Sequence, residues 1–332
     1  MTPSREQYNP LSSNGRKPLA LSSTLAVASL YGMFSLTPAA LAQESTAQGE
    51  VDTASGETAS YEITEDEPRS EYLSDWYNQN LTIIGDKNIR FGPQPVDDIY
   101  LEYEFFGRKG PLELYGYVDL PKFFGIGNSN DTGIWDDGSP LFTELEPRLS
   151  IDDITGKDLS VGPFKEWFFA VDYIFDWGHN SDSRQNTLYA GFGTDIDTHT
   201  PVALSFNLYK RYQWENYGAA NENSWDGYRA QAKYVWPLGQ FSNGASLTYV
   251  GFTNYDFGSD LRDDSGPTRT NEAVVATNVL LYSFTHLRFM GVARYFHNGG
   301  QWNDDEEVNF GEGPFHLRST GWGYYFGVGW QF

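Results

Sequence analysis

The last twelve residues, Gly321 to Phe332, constrain this chain more than any other stretch. Read at every second residue, one face is Trp322, Tyr324, Phe326, Val328, Trp330 and Phe332, and the other is Gly321, Gly323, Tyr325, Gly327, Gly329 and Gln331. A strand turns successive side chains to opposite sides, so this is a strand with one large apolar face and one small face. A soluble barrel puts its large apolar residues inward, but here the other face holds four glycines, too little volume to fill a core. The aromatic face therefore points to lipid, as in the closing strand of a bacterial outer-membrane barrel.

The amino terminus agrees. Arg16 and Lys17 precede an apolar stretch from Leu19 to Leu36, which ends in Pro38-Ala39-Ala40-Leu41-Ala42-Gln43. Five serines and threonines soften the stretch, and Ala40 and Ala42 fit a small-residue cleavage site. Residues 1–42 are thus expected to be a cleaved signal peptide rather than an anchor. No other long uncharged apolar run occurs, so no spanning helix is expected. Lipid is crossed only by helices and closed barrels. With no cysteines, the exported chain is expected to be held by hydrogen-bonded sheet rather than by disulfides.

Residues 43–70 carry eight acids and one base, Arg69, with little that packs, and read as an acidic disordered linker. It is too short for a plug domain. From residue 71 onward the chain reads as one domain. It is all-β: a single-chain antiparallel transmembrane β-barrel of about twelve strands with a narrow lumen. The strand-like runs are 79–87, 97–107, 112–120, 143–152, 164–177, 186–195, 202–214, 225–236, 244–255, 271–284, 286–297 and 320–332. Ten or fourteen strands would also satisfy the even count of single-chain bacterial barrels. The longer connections, 121–142, 256–270 and 298–319, are assigned to the outer face. Their acidic clusters, Asp136-Asp137, Asp263-Asp264 and residues 303–307, read either as solvated loop or as divalent-cation bridges to the anionic outer leaflet. None has the spacing of a defined calcium loop, and neither a metal site nor a cofactor is expected.

Alternation orients several strands. Ile99, Leu101, Tyr103 and Phe105 oppose Asp98, Tyr100, Glu102 and Glu104. Leu112, Leu114, Val118 and Leu120 oppose Glu113, Tyr115, Tyr117 and Asp119. Leu145, Pro147, Leu149 and Ile151 oppose Glu144, Glu146, Arg148 and Asp152. Trp167, Phe169, Val171, Tyr173 and Phe175 oppose Glu166, Phe168, Asp172 and Asp176, and Val202, Leu204, Phe206 and Leu208 oppose Ser205, Asn207, Tyr209 and Arg211. A lipid-facing Arg or Lys near the midplane costs roughly 2–4 kcal/mol, so the charged faces are expected inside. The lumen then gains carboxylates, arginines and inward aromatics. Two readings stand at this point. The rings and charges only pack and pair within a narrow bore, or the rings stack a planar base while the charged groups hold sugar hydroxyls. The formal net charge of −23 speaks against nucleic acid as a partner.

At Arg90-Phe91-Gly92-Pro93-Gln94, then Asp98 and Tyr100-Leu101-Glu102-Tyr103-Glu104, the chain resembles the Tsx family of nucleoside-specific channel-forming outer-membrane proteins. The likeness continues through Tyr115-Gly116-Tyr117, Gly133-Ile134-Trp135, Glu146-Pro147-Arg148, Gly162-Pro163-Phe164-Lys165-Glu166-Trp167, Asn216-Tyr217-Gly218-Ala219-Ala220-Asn221-Glu222-Asn223, Gly299-Gly300-Gln301-Trp302-Asn303-Asp304-Asp305 and Arg318-Ser319-Thr320-Gly321-Trp322-Gly323. It spans essentially Tyr72 to Phe332.

The resemblance implies a monomeric twelve-stranded channel of the bacterial outer membrane, among lipid and lipopolysaccharide, that passes nucleosides and deoxynucleosides. Family members also serve as phage and colicin receptors through outer loops that vary; loop 256–270 is not safely matched, so a receptor role stays open for this chain. The 43–70 segment is longer than the family's usual mature start. The segment matching Phe91-Gly92 is associated in the family with nucleoside selectivity; the residues alone read as a turn, with Gly92-Pro93 as a tight bend. The candidate lumen contacts are Arg90, Phe91, Gly92, Tyr100, Glu102, Glu104, Tyr115, Tyr117, Glu144, Glu146, Arg148, Glu166, Phe168, Tyr209 and Arg211. A general or sugar-selective porin is the competing reading. An outer-membrane hydrolase is the remote one: His179, His199, His286, His297 and His316 are the only imidazole bases, and no nucleophile-elbow, zinc-helix or phosphate-loop motif accompanies them.

Overall fold

The computed structural model describes residues 75–128, 140–178, 181–262, 268–309 and 313–332. The expected signal peptide and acidic linker, the clusters Asp136-Asp137 and Asp263-Asp264, the Gly133-Ile134-Trp135 motif and His179 lie outside the described residues. The strands are β1 (Trp76–Lys87), β2 (Ile99–Lys109), β3 (Leu112–Leu120), β4 (Phe142–Ser150), β5 (Phe164–Trp177), β6 (Arg184–Ile196), β7 (Ala203–Asn216), β8 (Ser224–Gln240), β9 (Ser246–Phe257), β10 (Ala273–Ser283), β11 (Leu287–His297), β12 (Glu307–Val308), β13 (Phe315–His316) and β14 (Gly321–Gln331). Twelve of them close an antiparallel barrel, β14 pairing with both β1 and β11. β12 and β13 form a small hairpin within the last outer loop.

Closure follows from the sequence as read. β14 pairs with β1 from Asn80 opposite Gln331 to Lys87 opposite Tyr324, leaving no free edge. Trp322, Tyr324, Phe326, Val328 and Trp330 are exposed on the outer wall, whereas Gly323, Tyr325, Gly327 and Gly329 are buried. The glycine face lets neighbouring side chains lie against the wall: a Cβ at Gly329 would stand 2.5 Å from Thr82 Oγ1. On β5, Glu166, Phe168, Asp172 and Asp176 point inward as alternation requires, and β7 places Asn207, Tyr209 and Arg211 inside. Pro147 sits on β4 with no N–H to donate, and the β4–β5 ladder jumps from Leu145 opposite Tyr173 to Arg148 opposite Ala170.

One expected strand end is corrected. The run 143–152 stops at Ser150, and Ile151–Thr155 form a short helix, α1. Ser150 Oγ accepts a hydrogen bond from Asp153 N at 3.2 Å, and Gly156 closes the helix in the left-handed region at φ 63°. A serine that caps the first free N–H groups, with a left-handed glycine behind, outweighs continued alternation. Ile151 and Asp152 therefore leave the barrel wall; Asp152 instead accepts from the backbone N–H groups of Leu159 and Trp167 at 2.9 and 3.0 Å.

The connections after β1, β3, β5, β7, β9 and β11 leave one rim of the antiparallel barrel. The three longest loops expected on the outer face are all among them, which makes this the outer rim. Here the outer loops pack on one another. Tyr217, Trp302, Val308 and Leu317 form a buried cluster with Phe315 against it. Below it, Ile84, Ile89, Val275, Val292, Phe296 and Tyr325 fill part of the bore. Asp304, within the acidic 303–307 run, accepts from Thr320 N at 2.9 Å, so at least this carboxylate holds loop backbone.

Candidate functional site: the lumen

The lumen holds a cavity of about 540 Å³ lined by residues from all twelve barrel strands, within the ~300–1,000 Å³ span of small-molecule sites. Its wall carries ten carboxylates and six cations. One side is the face that alternation assigned to β2–β4: Asp98, Tyr100, Glu102, Glu104, Glu113, Tyr115, Tyr117, Asp119, Glu144, Glu146 and Arg148. Tyr115 Oη donates to Glu104 at 3.3 Å, and Tyr117 Oη donates to Glu144.

The other side was not oriented from the sequence. Arg229 and Lys233 come from β8 and Arg288 and Arg294 from β11, and all four reach the cavity. Arg288 Nη2 lies 2.7 Å from Glu104 and 3.9 Å from Glu102. Lys233 pairs with Glu146 and sits 4.9 Å over the Tyr115 ring. Arg229 grips Asp256 with two bonds of 3.0 Å and Asp172 with one of 2.7 Å, over the Tyr189 ring at 3.8 Å. Removing charges from bulk water is costly unless they are paired, and the acidic face is compensated from across the bore. The signal was present as Arg229-x-Gln231-x-Lys233 against Tyr228, Ala230 and Ala232, the same period-two pattern that oriented β2–β5.

The expected contacts divide in two. Phe91, Gly92, Tyr100, Glu102, Glu104, Tyr115, Tyr117, Glu144, Glu146, Arg148 and Arg211 line the cavity. Arg90, Glu166, Phe168 and Tyr209 are not part of that lining. Arg90 donates to Asn88 O at 2.6 Å and Trp322 O at 2.7 Å, tying the β1–β2 loop to β14. Glu166 lies toward the opposite rim, bound by Arg108 at 2.7 Å and by Ser150. Phe168 is fully buried beneath Arg148, whose guanidinium stacks 3.6 Å above its ring. Tyr209 is buried against Tyr189 in the wall. Large inward side chains filled the space between ladder and bore, which alternation alone does not distinguish from a free surface.

Phe91 lies in the loop between β1 and β2, which the Ile89–Val96 bridge closes. Its ring is 40% exposed, meets Phe296 edge-on at 5.0 Å and lies 5.3 Å from the Arg294 guanidinium. The chain bends through residues 91–94, as expected at Gly92-Pro93, while the left-handed residue of the loop is Asn88 at φ 59°. Arg294 also faces Phe252 at 5.5 Å and Tyr325 at 4.8 Å, and donates to Tyr325 Oη at 2.8 Å. It stands within electrostatic reach of Glu102, Asp119 and Glu144. Among the described residues, Arg294 Nε and Asp119 Oδ1 have no protein hydrogen-bond partner. The arrangement presents π faces and a planar cation on one side and carboxylates with a tyrosine on the other. None of the described histidines lines the cavity; His286 stacks on Trp330 at the opposite rim, 5.2 Å between rings.

The family model for "Nucleoside-specific channel-forming protein, Tsx" matches residues 73–332. A nucleoside-specific channel-forming protein Tsx of Escherichia coli O157:H7 is 55% identical over 270 residues, covering 80% of this chain and 91% of that one. The protein of that name from Klebsiella pneumoniae is 54% identical over 270 residues with the same coverage. Outer membrane protein OmpK of Vibrio parahaemolyticus is 31% identical over 239 residues, covering 70% of this chain and 80% of that one. A closed barrel with a lipid-facing aromatic wall and a charged, aromatic bore, matched over its whole length, is a member of the Tsx family of channel-forming outer-membrane proteins.

Proposed function

We propose that this chain is a passive outer-membrane channel selective for nucleosides and deoxynucleosides. One observation carries the reading: in the same cavity, the Phe91–Arg294–Phe252 wall meets the Asp119, Glu102 and Glu144 carboxylates. A base stacks on the first, at about 1–3 kcal/mol per ring, and ribose hydroxyls donate to the second. Both relatives named Tsx support the substrate class by their names. The carboxylate excess disfavours phosphorylated forms, because a phosphate meets like charge in a partly desolvated bore.

We read the protein as a channel and not an enzyme, working as a monomer after loss of residues 1–42, with 43–70 leading into the barrel. The lipid-facing wall sits among outer-membrane lipid and lipopolysaccharide. Any phage or colicin recognition would fall to the outer loops.

Uptake into vesicles carrying the purified barrel tests the substrate. Thymidine and adenosine should enter saturably and compete, ribose should enter without competing, and thymidine monophosphate should lag most at low ionic strength. Equal, non-saturating entry of thymidine and ribose would make this a general diffusion pore.

A further inference from the structure

We propose that Arg211 and Gln301 form a latch that holds an outer-loop turn in the mouth of the barrel and so sets the largest solute that passes. This rests on the channel reading but not on nucleosides as cargo.

The turn from Asn298 to Trp302 has an unfavourable backbone. Asn298, Gly300 and Gln301 are all left-handed, at φ 51°, 63° and 60°. For asparagine and glutamine that conformation persists only where surroundings hold it. Two contacts press the turn into place. A Cβ on Gly299 would stand 1.7 Å from Arg90 O, and one on Gly300 would stand 2.0 Å from Phe91 O, so the backbone of the β1–β2 loop lies directly against it. Only glycine fits at either position. Gly300 and Gln301 line the cavity beside Phe91 and Gly92, so the turn is part of the wall of the mouth.

Gln301 is the member that reaches inward. It is 2% exposed; its Nε2 donates to Thr270 O at 3.0 Å, and its Oε1 accepts from Arg211 Nη1. Arg211 is a β7 side chain from inside the barrel. Its Nε donates to Asp226 O at 3.0 Å, and its Nη2 donates to Asp226 Oδ2 at 2.8 Å and Ser259 Oγ at 3.0 Å. Asp226 Oδ1 in turn accepts from Asp260 N at 2.6 Å. One guanidinium thus joins β7, β8, the β9–β10 loop and the β11–β12 turn. Four of its five N–H groups are engaged by protein. Alternation marked Arg211 as a solute contact; the geometry makes it a positioning residue, because its donors are committed to the loops that frame the entrance.

Breaking this bond removes the turn's tie to the barrel interior and leaves a strained turn on its loop contacts, Thr270 N to Gln301 O at 3.0 Å and Gly299 N to Ser319 O at 2.9 Å. The turn should then leave the mouth for part of the time, widening the entrance beside Phe91.

The test compares wild type, Gln301→Leu, which keeps side-chain volume and loses the hydrogen bonds, and Arg211→Lys, which keeps charge and loses the fork. Swelling of vesicles in neutral oligosaccharides of increasing length reads the size limit, and single-channel recording in potassium chloride reads the bore. Recording counts only inserted barrels, so a lower folding yield does not enter the result. Both variants should admit a sugar at least one unit longer than wild type admits and show larger, noisier unit conductance. The double variant should widen by less than the two single shifts added together, since the Arg211–Gln301 bond is lost in both. An unchanged size limit and conductance in both single variants overturns the latch. Wild-type channels without nucleoside preference, alongside a shifted limit in Gln301→Leu, would overturn the nucleoside reading and leave the latch standing.

Discussion

Replacing Arg229 by methionine should cost the barrel several kcal/mol, and the structure says where the loss arises. Asp172 is fully buried, Asp256 is 8% exposed, and both take their cation from Arg229. Methionine fills much of the arginine stem but leaves both carboxylates without their hydrogen-bonded cation. Removing one partner of a buried pair costs about 3–5 kcal/mol, and loss of the guanidinium over the Tyr189 ring removes a stacking contribution of about 0.5–2 kcal/mol. Arg229 and Asp256 border the cavity, so water enters part of the site and the lower end, about 3 kcal/mol, is the expected figure. Urea unfolding of the refolded barrel in vesicles, followed by tryptophan emission, measures it. Adding Asp172→Asn and Asp256→Asn to Arg229→Met should restore most of the loss, because the stranded charges are then gone. A loss below about 1 kcal/mol for Arg229→Met, or no recovery in the triple variant, would refute the claim that these charges are desolvated and mutually dependent.

Phe91→Ala should weaken nucleoside block of the channel by about 1–3 kcal/mol, roughly 5- to 150-fold in the inhibition constant, the worth of one base–aromatic stack; unchanged block in folded channels moves the base elsewhere. Ser150→Ala should destabilise α1 and its turn by about 0.5–2 kcal/mol through the lost cap, read as faster proteolysis at residues 151–163 with the ion conductance unchanged; equal cleavage rates would deny the cap its role. Burial works against the charge of Asp97, but the Lys87 ammonium and the Asn88 N–H outweigh it and hold this carboxyl below its ordinary value. A depressed folded value means the anchoring of the β1–β2 loop is complete above the ordinary value, about 3.9, and is lost only as pH falls through the lower folded one. Hydrogen exchange at the Asn88 amide, corrected for its intrinsic rate, should therefore stay flat from pH 8 to 5; a loss of protection near pH 6 would contradict it.

The barrel was legible because lipid enforces period two with unusual rigour. Every described β14 residue from Trp322 to Trp330 sits on the face its parity assigns. The same parity placed Glu102, Glu104, Tyr115, Tyr117 and Glu144 on the cavity wall. What parity lacks is depth. It cannot separate Phe168, roofed by Arg148, from Tyr100, which borders open space. Nor does it say which charges meet across the bore: Lys233 and Glu146 are 87 positions apart, and Arg288 and Glu104 are 184 apart. Such pairings depend on closure and on strand order, not on local pattern. Gln301 was invisible as an inward group for the same reason, since a loop residue has no parity to read. Ser150 also carries a local signal that outweighs parity, a cap whose partner lies three residues on.

On the proposed reading, one bore binds the base on rings and the sugar on carboxylates while the solute passes. Recording ion current through single reconstituted channels while adding solute tests it most directly. Thymidine or adenosine should reduce the current along a saturating curve, thymidine monophosphate should do so much more weakly at low salt, and ribose alone should leave the current nearly unchanged. Current that falls equally with ribose and thymidine, or that never saturates with either nucleoside, would contradict a binding site in the lumen.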